Sequence, residues 1–296
     1  MAEDLIASSN AEAVEAWSGV LFERWVEHRE VLAVSIQPVS EEAFAICRPA
    51  PGERVLDIGC GLGETTRALA RLVGPGGSAT GIDAGEGFIA QAEEETRAAG
   101  IANAGYLTGD VQVADLGTGY DLAFSRFGTM FFASPVAALR NVRRALRPGG
   151  RLCMVVWRRK LDNDWLHRGE LVVKRHLERP EETDQPTCGP GPFSMADADT
   201  TTDILVYAGY REIEARRFDF DYRMGSSMDQ ALAVVTALGP AGELIRLSGA
   251  KAEALRPVLE AELREAYGDL ERDDGEVWSR ASVWIVSARA PAAEAP

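Results

Sequence analysis

Between Gly52 and Trp157 short apolar runs alternate with longer stretches in which apolar residues recur at every third or fourth position. The short runs predict buried strands near 54–58, 78–83, 104–108, 120–125 and 151–157. The longer stretches predict amphipathic helices near 64–73, 86–99 and 135–147. Punctuation agrees with this reading. Gly74-Pro75-Gly76-Gly77, Gly100 and Pro148-Gly149-Gly150 stop the three helices, and Ser134-Pro135 is an N-cap followed by proline at the first helical position. Strand alternating with helix predicts the α/β class, a parallel sheet covered on both faces.

The pattern changes on both sides of this segment. Residues 1–9 predict a frayed start. Asn10 predicts an N-cap, with Val14, Trp17, Leu21, Trp25 and His28 following at helical spacing. A second helix is expected over Val39–Cys47, stopped by Arg48-Pro49-Ala50-Pro51-Gly52. Beyond the fifth strand, Arg158-Arg159-Lys160 predicts a solvated turn, and Asp162-Asn163-Asp164-Trp165 the start of a helix that carries apolar residues to Leu177. Residues 180–194 predict a loop, Asp199 the cap of a helix over about 200–208, and Tyr210–Tyr222 a bulged strand. Helical patterns at 231–238, 242–247 and 250–267 precede a last strand, Trp278–Ala288. His28, His167 and His176 have no recognisable catalytic partner in the sequence.

The predicted strand–helix junction Arg54–Glu64 carries Gly59, Gly61 and Gly63 at alternate positions. Glycines there allow a sharp turn and the close approach of a ligand to main-chain N–H groups at a helix start. Glu64 stands where a dinucleotide fingerprint wants a small residue, and its carboxylate opposes a diphosphate. The chain also lacks a P-loop Gly-Lys-Ser/Thr at this junction. Asp83 ends the next strand about 20 residues on, where a carboxylate accepts ribose hydroxyls. A nucleoside with a cationic, non-phosphate extension satisfies both features, and S-adenosylmethionine is such a molecule. Asp57, Asp83, Asp110 and Ser125 all fall at the carboxyl ends of predicted strands, the ligand edge of such sheets.

Val55–Gly63 followed by Gly81-Ile82-Asp83 resembles the first two motifs of class I S-adenosylmethionine-dependent methyltransferases. Thr108-Gly109-Asp110-Val111 resembles the third, whose acidic residue meets the adenine amino group. Tyr120–Ser125 resembles the fourth, and Leu146–Leu152 the turn into the fifth strand. The segment Ser125–Phe132, together with the Trp17 and Trp25 region, is similar to bacterial small-molecule methyltransferases of the ubiquinone/menaquinone type. This resemblance implies a Rossmann-like sheet of about seven strands with the last one antiparallel between its neighbours, helices on both faces and a helical cap. The implied divisions are a lid at 1–50, a cofactor-binding core at 51–160, a cap insert at 161–200 and a core helix and strand at 201–222. A second cap insert at 223–275, the final strand at 276–290 and a disordered tail at 291–296 complete them.

For S-adenosylmethionine the resemblance and the rim together nominate Asp57, Gly59, Gly61, Gly63, Asp83, Asp110, Val111, Ser125, Arg126 and Trp17. Phe127, Met130, Phe131, Phe132 and Trp165 are nominated for a small-molecule acceptor, aromatic or isoprenoid-like, because apolar side chains at the ligand edge exclude water from the reacting centre. The alternative for Phe127–Phe132 is that the rings seal the top of the sheet. No catalytic base and no metal set is visible, and O-, C- and N-methylation stay open. A nucleoside-binding regulator, or other chemistry on the same fold, is the competing class.

The net charge of −15 argues against an acceptor held by phosphate contacts, which disfavours nucleic acid. Four cysteines (Cys47, Cys60, Cys153, Cys188) have no metal spacing. No signal peptide and no run of transmembrane length are read, so the expected location is the cytoplasm.

Overall fold

In a computed structural model, described for residues 8–178 and 189–292, the apolar runs assemble into one seven-stranded sheet. Residues 1–7, 179–188 and 293–296 lie outside the described residues. With them go Cys188, most of the expected 180–194 loop and the end of the expected tail. The strands are β1 (Arg54–Ile58), β2 (Ser78–Asp83), β3 (Ala104–Thr108), β4 (Tyr120–Arg126), β5 (Leu146–Trp157), β6 (Arg211–Gly225) and β7 (Val277–Arg289). Their order is β3-β2-β1-β4-β5-β7-β6, parallel from β3 to β5, with β7 antiparallel to both β5 and β6. The sheet therefore reverses direction of growth between β1 and β4, and a crevice opens there at the strands' carboxyl ends.

Helices α1 (Ala11–Ser18), α2 (Val20–Glu27) and α3 (Arg29–Cys47) precede the sheet. Helices α4 (Glu64–Val73), α5 (Glu86–Ala98) and α6 (Pro135–Ala145) connect its parallel strands. Helices α7 (Asp164–Val173), α8 (Ala198–Ala208), α9 (Met228–Ala237) and α10 (Gly239–Tyr267) follow β5 and flank β6. The connecting helices form for the reasons the pattern suggests. In α4 the residues Thr66, Leu69, Ala70 and Val73 are fully buried at three- and four-residue spacing, and the exposed face carries the charges. Val55, Leu56 and Ile58 of β1 are wholly buried beneath helices, as a central parallel strand requires.

Several boundaries differ from expectation. The first helix divides at Gly19, and α3 runs unbroken from Arg29 through Pro38. A proline leaves the carbonyl four residues before it without a helical partner, and that carbonyl belongs to Val34, a half-exposed residue. Asn10 makes no side-chain cap, because the turn before α1 is already 3₁₀-helical. The cap of α8 is Asp197, whose Oδ1 accepts the Thr200 N–H at 2.8 Å, and Asp199 lies in the first turn. Helix α7 ends at Val173, short of Leu177. The bulge in β6 occurs between Arg211 and Glu214, with Glu212 at φ +51°, and a second shift follows at Arg223.

The segment Arg158-Arg159-Lys160 is not a solvated turn throughout. Arg158 is buried, its guanidinium lies 4.5 Å from the Trp284 ring centroid, and its Nη1 donates to Ser282 Oγ at 3.0 Å. The next strand to pair with β5 arrives from far along the chain, so the neighbour that encloses Arg158 was invisible locally.

Candidate active site

The glycine loop after β1 is anchored from below. Asp57 is completely buried, and its Oδ2 accepts hydrogen bonds from Thr65 Oγ1 and Thr66 Oγ1 at 2.7 and 2.6 Å. The end of the strand is thereby tied to the first turn of α4, and Gly59, Gly61 and Gly63 span the gap at φ +64°, +51° and +75°. Burial pushes the Asp57 carboxyl up to about 6, although the two threonine hydroxyls and Arg126 pull the other way. Its Oδ1 is buried without a partner among the described residues.

The two loops that meet at the crevice touch backbone to backbone. A Cβ on Gly59 would lie 2.8 Å from Gly128 Cα, and one on Gly128 would lie 2.8 Å from the Ile58 carbonyl oxygen. Ser125 Oγ donates to that same oxygen at 2.8 Å. No side chain fits between β1 and β4 at this level, and this close contact forms the floor of the site. Phe127 next to it holds φ +66°, a backbone conformation that a bulky side chain seldom adopts. It is kept there by its N–H bond to the Val155 carbonyl at 3.0 Å and by a stack on Trp157, with centroids 4.3 Å apart.

Above this floor lies a cavity of about 970 Å³. At one end Asp83 spans the glycine loop: Oδ2 accepts the Gly61 N–H and Oδ1 the Gly85 N–H, both at 3.0 Å. Burial raises its pKa, and the backbone donors oppose the rise. Asp110 is buried and oriented by Gln112, whose backbone N–H and Nε2 each donate to it at 2.9 Å. Gln112 Oε1 in turn accepts the Ser134 N–H at 2.6 Å, which ties the loop after β3 to the start of α6. Arg126 lines the cavity but is engaged, with Nη2 3.0 Å from Glu64 Oε2 and Nη1 donating to Ser40 Oγ at 2.6 Å.

Of the residues nominated from the sequence, Gly59, Gly61, Asp83, Asp110, Val111, Arg126 and Trp17 line this cavity, as do Phe127, Met130, Phe131, Phe132 and Trp165. Asp57, Gly63 and Ser125 do not. They hold its floor from behind, because their side chains or Cβ positions are already filled by Thr65, Thr66, Ala92, Tyr106 and the Ile58 carbonyl. None of the three histidines lines it. His176, beyond the end of α7, pairs with Glu262 at 2.8 Å.

At the opposite end the nominated Trp165 and Phe127 are joined by aromatic residues that were not anticipated. Trp157 at the end of β5 and Tyr222 in β6 wall it, with Trp165 stacked on Tyr222 at 4.0 Å. Leu32 and Ile36 of α3 and Leu244 and Leu247 of α10 enclose it. Trp157 ends a strand predicted to reach the ligand rim, and that was the one available signal. Lys160 and Glu170 also line this end.

The donors and acceptors at the glycine end fit a nucleoside that carries positive charge. A Cβ on Gly61 would meet nothing closer than Phe88 Cδ1 at 4.0 Å, so the missing side chain leaves a cradle open to the cavity. Asp83 and Asp110 put acceptors beside that cradle, and Arg126, a cation that lines the cavity, is already paired with Glu64. Such a set receives hydroxyl and amino donors and repels phosphate.

Comparison with known proteins agrees with this geometry. Residues 49–184 match a family model described as a methyltransferase domain. Over this segment the chain is similar to methyltransferase domains. The chain is 33% identical over 116 residues to aklanonic acid methyltransferase DauC of Streptomyces sp. strain C5, a match covering 39% of this chain and 53% of the relative. It is 34% identical over 100 residues to a Staphylococcus aureus demethylmenaquinone methyltransferase, covering 33% and 41%. The chain thus spans about half, or less, of the length of these relatives. In fold it is similar to the YcgJ protein of Bacillus subtilis, with a TM-score of 0.54 at 16% identity, covering 87% of this chain and 98% of that one. Among the described residues no cluster suited to a metal ion occurs, and no single helix is long and apolar enough to cross a membrane.

Proposed function

We propose that the protein transfers a methyl group from S-adenosylmethionine to a small, predominantly apolar acceptor. The observation that carries this reading is the continuity of one cavity from the Asp83–Gly61 cradle to the aromatic end at Trp157 and Trp165. A cofactor site alone would need only the first half. At about 970 Å³ the cavity stands at the upper end of the roughly 300–1,000 Å³ typical of ligand sites, as two bound molecules require.

In this reading Asp83 holds the ribose hydroxyls and Asp110 the adenine amino group, with Val111 and Phe88 against the base. Arg126 and Trp17 bound the cofactor where it meets the acceptor. When bound, S-adenosylmethionine supplies an electrophilic methyl group on a sulfonium. The protein's own part is alignment and the exclusion of water, and held alignment is worth up to about 7–11 kcal/mol. The cavity offers no histidine to take a proton. An acceptor atom that brings its own nucleophilicity, as an anion, an amine or an activated carbon does, needs no base there.

Helices α1, α2, α7, α9 and α10 act as the cap, because all of them contribute apolar side chains to the same cavity. The relatives are named for aklanonic acid and demethylmenaquinone, which supports a small organic acceptor for this chain, and the aromatic lining of the cavity favours a flat aromatic or isoprenoid-bearing one. Incubation of the protein with methyl-labelled cofactor and a metabolite extract, followed by mass spectrometry, tests the proposal. Label in a small organic product is expected. Tight binding of S-adenosylhomocysteine with no transfer to any fraction would instead favour a nucleoside-binding regulator.

A further inference from the structure

Lys160, Glu170, Lys174, Glu178 and Glu243 are ionised side chains of the cavity that the methyl-transfer reading leaves without a task, and Glu170 is the buried one among them. Glu170 of α7 is only 6% exposed and lines the cavity on the helix face that also presents Leu166. A carboxylate in such an apolar wall is costly unless it is paired. It is paired twice, but on one oxygen: Lys160 Nζ lies 2.8 Å and Lys174 Nζ 2.7 Å from Oε1. Oε2 has no hydrogen-bond partner among the described residues. The indole N–H of Trp165, one turn earlier, is sealed away from solvent and cannot serve a ligand as it stands.

The cavity that Glu170 lines also has flat, conjugated walls. Phe127 and Trp157 form one stack, and Trp165 and Tyr222 a second that meets the first edge-on, with Trp157 and Trp165 at 66° and 5.7 Å. Stacked and edge-to-face rings of this kind favour a planar, π-rich guest.

We infer that Glu170 Oε2 is a specificity determinant that accepts a hydrogen bond from a hydroxyl group on a flat, conjugated acceptor bound at the aromatic end. The inference rests on the proposed function and names the acceptor's chemistry. Glu170 positions and selects; it does not remove the proton. Burial alone would push its carboxyl up, but the ammonium groups of Lys160 and Lys174 overcome that and hold it below the ordinary carboxylate range. A carboxylate so held is a weak base and remains a strong hydrogen-bond acceptor. An acceptor that lacks the hydroxyl would leave Oε2 dehydrated and unpaired, which is how a polar group in an apolar pocket discriminates.

The test uses the full chain with saturating S-adenosylhomocysteine, and 1,8-dihydroxyanthraquinone and unsubstituted anthraquinone as probes, read by quenching of tryptophan fluorescence. The wild type is expected to prefer the dihydroxy compound by about 10-fold or more, as a bond to a charged group implies. Glu170→Met, close in shape but with no acceptor, should bind the two within about threefold while keeping its affinity for S-adenosylhomocysteine. If the preference survives in Glu170→Met, or if both quinones weaken equally, Glu170 is only structural and the inference fails. No saturable binding of either quinone overturns the acceptor class. Should Glu170→Met not fold, Glu170→Gln, which keeps the shape but not the charge, must lower the preference at least about threefold, and an unchanged preference refutes the proposal. Failure of S-adenosylhomocysteine to bind the wild type would instead sink the methyltransferase reading itself.

Discussion

The buried Asp57 makes a prediction about stability that can be worked from the structure. Burial raises its pKa from the ordinary 3.8 to about 6 in the folded state. The folded protein therefore binds more protons than the unfolded chain between those values, and its stability must fall as pH rises through that window. The whole displacement corresponds to roughly 3 kcal/mol, of which about 1.4 kcal/mol is lost between about pH 5 and pH 7.5. Asp57→Asn keeps an oxygen that can accept from Thr65 or Thr66 and cannot titrate. Urea unfolding of both proteins at several pH values isolates the effect, because every other titrating group is common to the two. The variant should gain on the wild type by about 1.4 kcal/mol as pH is raised from about 5 to 7.5. A difference that stays flat across this range, or that runs the other way, would refute the argument that an ionised Asp57 is paid for by the fold.

The remaining predictions concern the site. Removing the Asp83 carboxylate by Asp83→Ala eliminates two backbone bonds and the proposed ribose contacts, each worth about 1.5–3 kcal/mol to a charged acceptor, so calorimetry should show S-adenosylhomocysteine weakened at least ~10-fold. An unchanged affinity in a folded variant would remove Asp83 from the cofactor site. Gly128→Ala forces a Cβ to within 2.8 Å of the Ile58 carbonyl oxygen and should cost about 1–3 kcal/mol in thermal or urea unfolding, with cofactor affinity falling alongside; a neutral outcome would mean that the loops at the crevice are free to part. Phe131→Ala or Phe132→Ala should depress acceptor turnover while S-adenosylhomocysteine binding stays within a few-fold. If binding of the nucleoside is abolished instead, these rings belong to the cofactor.

What the sequence made legible follows the reach of its signals. The parallel strands and connecting helices were visible because each depends on local periodicity, with Gly and Pro at the boundaries. The rim was visible because Asp57, Asp83, Asp110 and Ser125 sit at strand ends, a position that topology turns into one edge. The finer division within that edge was not. Asp57, Gly63 and Ser125 proved to support the cavity from behind, and only Thr65, Thr66, Tyr106 and the Ile58 carbonyl in three dimensions decide that. The aromatic end was legible only in part, at Phe127 and Trp165, and Trp157 and Tyr222 escaped for a related reason. Trp157, Trp165 and Tyr222 come from three separate elements, and no spacing along the chain says that Tyr222 stacks on Trp165. Arg158 was misread because its partners, Ser282 and Trp284, lie more than a hundred residues away.

The strand order has a consequence for how the cavity comes into being. β6 joins the sheet only through β7, which is inserted between it and β5. Tyr222 and the wall that it forms with Trp165 therefore have no fixed address on the core until residues 277–289 have slotted into place. Closing β5 against β7 bridges a loop of more than a hundred residues, and contacts of such separation form late. Pulse-labelled hydrogen exchange during refolding should find β1, β2 and β4 protected before β6 and β7; simultaneous protection would contradict this order. On that sequence of events the nucleoside end of the molecule is built early, from neighbours in the chain. The chamber that chooses the second reactant is finished last, when the final strand locks its far wall.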